Sequence, residues 1–327
     1  MCKLIVVLSI AISAVAQDKS SSQVPKDDAT RVIEFYRIGS HIQDRIWPGW
    51  SKIPAPLMLV TADTEFLTHH PAPPAEMKKV AGGWYARPRQ FPANSQATFP
   101  AFGPPSVIVI GGPASTESKT STPWLFTAMH EHFHQLQNAQ PGYFDAVKAL
   151  DLSKRDTTGM WMLNYPFPYE KPEVARGFAH LRDLLLRALQ EQDQKKVSEL
   201  AKEYVTERHK FFGSLSADDR KYFNFQLWQE GIARYTEVVS AEACANWVPK
   251  PEFAALADYE PFGAYALRAR AKTLDELKRA DLSNWKRVVV YSFGASEGFL
   301  LDRINPQWKE DYFKRMFSLD PYFDAVR

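Results

Sequence analysis

The sequence predicts an α+β chain that is mainly helical, and three observations carry that reading. Short runs of β-branched and aromatic residues, broken by Pro- and Gly-rich stretches, lie between residues 57 and 110. From Thr122 onward the apolar residues recur at helical spacing. With 327 residues, 45% of them hydrophobic and 24% charged, the chain is long enough to bury a large core as one domain or two packed subdomains.

At the N-terminus, Lys3 precedes an apolar run over 4–12, too short to span a membrane, followed by Ala14-Val15-Ala16. This order is that of a secretory signal peptide cut after Ala16, so the mature protein is expected to be secreted or periplasmic. Residues 17–27, rich in Ser, Lys, Gln and Asp, are expected to form a disordered linker. A helix over 28–46 carries Val32, Phe35, Ile38 and Ile42 and stops at Trp47-Pro48-Gly49-Trp50. Strands at 57–61, 65–68, 83–87 and 107–110 make a small antiparallel or mixed sheet, completing an N-terminal α/β subdomain over 28–121. The rest, 122–327, reads as a helical subdomain, with helices near 122–138, 172–191, 193–213, 217–245, 252–258, 272–280, 284–304 and 307–316 and a cleft between the two subdomains.

Composition excludes several classes of function. Forty basic and 38 acidic residues, interspersed, leave a net charge of +2, with no basic field for nucleic acid and no polybasic stretch for anionic lipid. No segment after the signal is apolar for long enough to span a bilayer. Cys2 leaves with the signal and Cys244 then has no intrachain partner, so no disulfide framework forms. There is no G-x-S-x-G and no His close in sequence to Cys244, so nothing points to a serine or cysteine nucleophile. A peptide or protein substrate is the expected partner, and nothing in the sequence speaks to oligomeric state.

The chemistry concentrates in His130-Glu131-His132-Phe133-His134, an HExxH on a helix. Histidines four apart lie on one helical face, so both can reach one metal ion with Glu131 beside them, the pattern of a zinc hydrolase. Thr122 is the expected N-cap and Pro123 the first helical residue. Phe126, Met129, Phe133 and Leu136 form an apolar stripe bordered by His130 and His134. His132 points about 200° away from His130 and reads as a supporting or surface histidine. The adjacent His69 and His70 read as loop residues, since on a strand they would face opposite ways.

A catalytic zinc site takes three protein ligands and keeps one position open. Glu230 is the best third candidate, because Gly231 and Ala233 would let its helix approach the motif helix closely. Glu237 is the second choice, or a carboxylate that orients a histidine N–H. The plain alternative pairs Glu230 with Arg234 as a solvated i,i+4 ion pair.

These residues resemble the gluzincin metallopeptidases, and among them the peptidase MA-like proteins. The shared pattern is HExxH at His130 to His134, then Trp228-Gln229-Glu230-Gly231-Ile232-Ala233-Arg234-Tyr235, then Tyr291-Ser292-Phe293-Gly294, in that order. The resemblance implies a zincin-like fold, Zn2+ held by His130, His134 and Glu230, Glu131 as general base and Tyr291 as hydrogen-bond donor to the oxyanion; the residues themselves offer His209 and then Arg234 as less preferred donors. The zincin order of elements would make 107–110 the edge strand above the active-site helix. The resemblance covers about residues 105–305. Between His134 and Glu230 lie 95 residues (230 − 134 − 1), more than is usual in the family, so helices over 172–213 read as an insertion that caps or lines the cleft. The activity implied is that of a secreted zinc metallopeptidase; the alternative is a catalytically silent zincin-like protein that binds a peptide or a cell-envelope ligand.

Overall fold

The computed structural model describes residues 23–325; the expected signal peptide over 1–16 and residues 17–22 of the expected linker lie outside the described residues. The first helix, α1 (Lys26–Ile46), begins two residues earlier than the sequence suggests and so takes up the end of the expected linker. Asp27 and Asp28 sit in its first turn, where carboxylates offset the unpaired N–H groups of a helix start. Gly49 then turns the chain with a φ of 79°, and Trp47 and Trp50 are both fully buried.

Six strands follow: β1 (Leu57–Val60), β2 (Thr64–Thr68), β3 (Lys78–Lys79), β4 (Tyr85–Pro88), β5 (Gln96–Phe99) and β6 (Val107–Gly111). They form one mixed sheet in the order β3-β4-β2-β1-β6-β5, in which only β1 and β6 run parallel. The continuous apolar runs of β1 and β6 follow from coverage of both faces. Leu57, Leu59, Ile108 and Ile110 join the main core, while Met58, Val60, Val107 and Val109 join a second cluster with Leu67 and Met77. This arrangement corrects the edge-strand expectation: β6 lies inside the sheet, between β1 and β5, and the outer strand is β5. An edge strand has only one neighbour to pack on, so it needs little apolar surface, and Gln96-Ala97-Thr98-Phe99 supplies little.

Helix α2 (Ser121–Asn138) lies against β5 and β6 on one side and against α1 on another, and every residue from Ser121 to Gln137 except Pro123 is buried. Its N-cap is Thr120, not Thr122. The Thr122 hydroxyl is committed elsewhere, donating to Glu260 O at 2.7 Å and accepting from Glu260 N at 3.1 Å. Pro123 therefore stands third in the helix, still within the first turn, where its missing N–H breaks no bond.

The remaining helices are α3 (Tyr143–Ala149), α4 (Trp161–Asn164), α5 (Pro172–Gln190), α6 (Gln194–Ser214), α7 (Ala217–Gln226), α8 (Ile232–Ala243), α9 (Pro251–Ala254), α10 (Phe262–Arg279), α11 (Leu282–Trp285), α12 (Val289–Ile304), α13 (Trp308–Asp311) and α14 (Asp320–Asp324). The helix expected over 217–245 is divided by a π-helical turn at Leu227–Gly231. The α5–α6 pair corrects a second expectation, because it packs behind α12 and lines no part of the large cavity beside α2. It is fastened there by buried charge: Arg208 Nε donates to Glu297 Oε1 at 2.6 Å, and Tyr204 donates to the same oxygen. One apolar core runs from Val24 through the inner sheet face and α2 to Phe323. No helix among the described residues is long and apolar enough to cross a membrane.

Candidate metal centre

The i,i+4 spacing on α2 brings His130 Nε2 and His134 Nε2 to 3.2 Å from each other. Glu230 Oε2, arriving from the π-helical turn, stands 3.6 Å from the first and 3.5 Å from the second. His130 and His134 are buried, and all three side chains face the same cavity. Together these residues could hold a metal ion.

The hydrogen bonds around α2 fix which imidazole nitrogen is free. Gln137 Nε2 donates to the carbonyls of Trp228 and Gln229 at 3.1 and 3.2 Å, so its Oε1 is left to accept. That oxygen lies 2.7 Å from His134 Nδ1, closer than the Gln229 amide nitrogen at 3.2 Å, so Nδ1 is best placed to donate to Gln137, and the lone pair of Nε2 then points to the shared position. On the other histidine, Nδ1 lies 3.4 Å from Glu237 Oε2. Glu237 is thus a charge neighbour of His130 rather than a hydrogen-bond acceptor from it, and it also takes Arg234 as its partner at 3.3 Å. The Glu230–Arg234 pair is not formed.

Electrostatics describe the same convergence. Burial acts to lower the pKa of His130, but Glu230, Glu237 and Glu131 outweigh it and raise it to about 9. Burial acts to raise Glu230, and His130, His134 and Arg287 outweigh that in turn, holding it well below the usual carboxylate range. The electron-rich atoms of this pocket favour a positive charge, which a proton on His130 can supply.

Gly231 and Gly294 explain how Glu230 is delivered. A Cβ on Gly231 would lie 2.6 Å from Gly294 Cα, so the turn carrying Glu230 meets α12 backbone to backbone. Gly231 therefore permits close approach to α12, which corrects the expectation that it serves approach to the motif helix. One turn further along, Tyr235 lies over Gly298. The π turn widens the ring of backbone bonds, with Ile232 N bonded to Leu227 O, and frees the Trp228 and Gln229 carbonyls for Gln137.

A cavity of about 1140 Å³ opens beside these groups, lined by Glu131, Thr98 of the edge strand, Arg234, Arg287 and Tyr291. Thr98 Oγ1 lies 2.8 Å from Glu131 Oε2 and 2.9 Å from Glu131 O, with one proton to share between them. The Tyr291 ring centroid lies 6.3 Å from that of His130, and its hydroxyl accepts from Arg287 Nη2 at 2.9 Å. Burial, together with Glu230, raises the Tyr291 pKa against the opposing pull of Arg287, so the phenol stays protonated.

Other singled-out residues lie elsewhere. His209, a possible oxyanion donor by sequence, is turned to Asp324 at 2.8 Å and does not line the cavity, because α6 packs behind α12. His132 is no ligand, but it is fully buried rather than at the surface, stacked on Trp50 at 5.0 Å. His69 and His70 are loop residues, the former against Tyr36. Cys244 is free and buried, and burial pushes its thiol up to about 12. Gln137, Thr98 and Arg287 escape the sequence reading; only Gln137, three residues after His134 and so on its face, carries a signal that could have found it. No protein family, no curated protein and no solved structure matches this chain.

Proposed function

We propose that this protein is an exported zinc-dependent peptidase that hydrolyses peptide bonds with Glu131 as general base. The observation that carries the reading is the triangle of 3.2, 3.5 and 3.6 Å formed by His130 Nε2, His134 Nε2 and Glu230 Oε2. Ligands about 2.0–2.2 Å from a tetrahedral zinc lie about 3.3–3.6 Å from one another, so the donor set fits that ion in spacing as well as in kind. Zinc bound there would polarise a substrate carbonyl and bring the pKa of a bound water towards neutrality.

The chain's own residues supply the rest. Glu131, steadied by Thr98, takes the proton of the attacking water and passes it to the leaving nitrogen. Tyr291, whose oxygen already accepts from Arg287, has its own proton to donate to the developing oxyanion. Gln137 holds the His134 imidazole in its productive orientation through a hydrogen bond, and Glu237 stands beside the His130 imidazole as a charge partner. β5, at the sheet's edge beside this cavity, is the strand on which an extended peptide would lie. The N-terminal signal pattern supports export.

The test is metal analysis of the purified protein together with cleavage of a peptide library. Glu131→Gln is expected to keep its zinc and to lose on the order of 10³-fold in turnover. Cleavage that survives this substitution would overturn the mechanism.

A further inference from the structure

Resting on the metal-centre reading above, we propose that Arg287 is a positioning residue that sets the third ligand and the oxyanion donor together. Its guanidinium reaches both. Nη1 lies 3.8 Å from Glu230 Oε1, while Glu230 Oε2 is the oxygen that faces the two histidines. Nη2 donates to the Tyr291 hydroxyl at 2.9 Å. One carboxylate oxygen thus lies within ion-pair range of Arg287, beyond hydrogen-bond distance, and the other is left for the metal, while the Tyr291 oxygen is occupied on one side so that its proton is available on another.

The fork is itself held. Gln226 Nε2 donates to the Met162 carbonyl at 2.7 Å, which leaves Gln226 Oε1 to accept from Arg287 Nη1 at 3.0 Å. Gln226 is buried at the residue before the π turn, so the element that delivers Glu230 also anchors the arginine that orients it. A planar guanidinium can serve these partners at fixed angles; an ammonium brings the charge without the fork. Arg234, the other cation beside Tyr291, is engaged with Glu237 and is not placed to do this.

The experiment uses the full chain loaded with zinc or cobalt and needs no turnover, so a protein that cleaves no peptide still answers it. Zinc affinity is measured by chelator competition, and acetohydroxamate affinity from the visible spectrum of the cobalt form, for Arg287→Gln, Arg287→Lys, Tyr291→Phe and the Arg287→Gln/Tyr291→Phe double variant. Arg287→Gln is expected to weaken zinc binding about tenfold, the lower end for loss of a group that orients a ligand. It should weaken hydroxamate binding by about as much as Tyr291→Phe does, and the double variant should stay within about twofold of the single ones, because both act through one hydroxyl. Arg287→Lys should recover zinc affinity but not hydroxamate affinity. Unchanged zinc and hydroxamate affinities in Arg287→Gln, or independent effects that multiply in the double variant, would overturn the proposal. Should Arg287→Gln not fold, wild-type hydroxamate binding by Arg287→Lys overturns it alone. An unmutated protein that binds no zinc defeats the metal-centre reading, and this proposal with it; zinc binding without peptide cleavage defeats only the peptidase.

Discussion

His132 and His134 stand two residues apart on α2, both buried, and each has a glutamine three residues on that receives its Nδ1 proton at 2.7 Å. Gln135 is fixed for this by donating to the Pro56 and Ser106 carbonyls, Gln137 by donating to those of Trp228 and Gln229. The tautomer is the same, and the difference lies in what faces Nε2. On His132 it is the Gln43 amide, with Trp50 stacked on the ring and Phe35 at its edge. On His134 it is His130 Nε2 and a carboxylate oxygen. One helix thus presents a core histidine on one side and a candidate ligand histidine on the other, built by the same local device, and only the second converges with charge.

The largest expected effect breaks the pair apart. Structural zinc sites hold their ion with roughly 10–16 kcal/mol, so losing one of three ligands costs about 4 kcal/mol, near a thousandfold in affinity. His134→Ala should therefore emerge from purification without zinc, whereas His132→Ala should keep one equivalent. The second variant should instead lose about 2–4 kcal/mol of stability to the cavity it leaves beneath Trp50. Equal loss of metal from both would erase the distinction between the two faces.

Acid sharpens the same contrast. Burial depresses the pKa of His132 from the usual 6.5 to about 4, outweighing the Gln135 hydrogen bond that acts to raise it. The unfolded chain therefore binds this proton more readily than the folded one. The stability associated with neutral His132 is complete above about pH 6.5 and is lost as the pH falls towards 4, on the order of 3 kcal/mol in all. Urea midpoints of the chelator-treated protein between pH 7.5 and 4.5 should show this slope in the wild type. His132→Phe, which keeps the ring between Trp50 and Phe35, should lack that part of it; an identical slope in both would place the acid sensitivity elsewhere.

What the sequence reveals of this centre is what lies within a turn or two of one helix. His130, Glu131 and His134 follow from helical periodicity, and the coarse α+β order follows from the change of period after residue 121. Glu230 is legible from Glu230-Gly231, but the reason for its glycine is not, since Gly294 lies on another helix and only packing brings the two together. β5 is hidden because an edge strand needs no apolar alternation, and Arg287 because its partners meet it only in the folded chain. The glycine contact is open to test. Gly294→Ala would set a Cβ 2.6 Å from Gly231 Cα and 3.1 Å from Leu227 O, with backbone on that side and no flexible side chain to yield. About 2 kcal/mol of stability should be lost, and zinc affinity with it as the turn bearing Glu230 shifts. Gly213→Ala, in α6 with nothing within 4 Å of the added Cβ, is the control and should be neutral or stabilising by up to about 1 kcal/mol. Equal thermal midpoints for the two would mean that the Gly231–Gly294 contact can relax without cost.

The smallest effect belongs to the edge strand. Thr98 reaches α2 through one hydroxyl, which lies within hydrogen-bond distance of both Glu131 Oε2 and the Glu131 carbonyl, and its loss leaves a buried carboxylate with a neighbour fewer rather than a ligand fewer. Thr98→Val keeps the branched shape suited to a strand and removes only that donor, so zinc content should not change and stability should fall by about 1 kcal/mol at most. Turnover by the proposed peptidase should drop about tenfold, the worth of one hydrogen bond that orients a base, with KM nearly constant. A fall in zinc occupancy instead would mean that β5 supports the ligands and not the base. Unaltered kcat would mean that Glu131 holds its place on α2 without help from the sheet, and the ligand face of the helix would then owe its chemistry to helices alone.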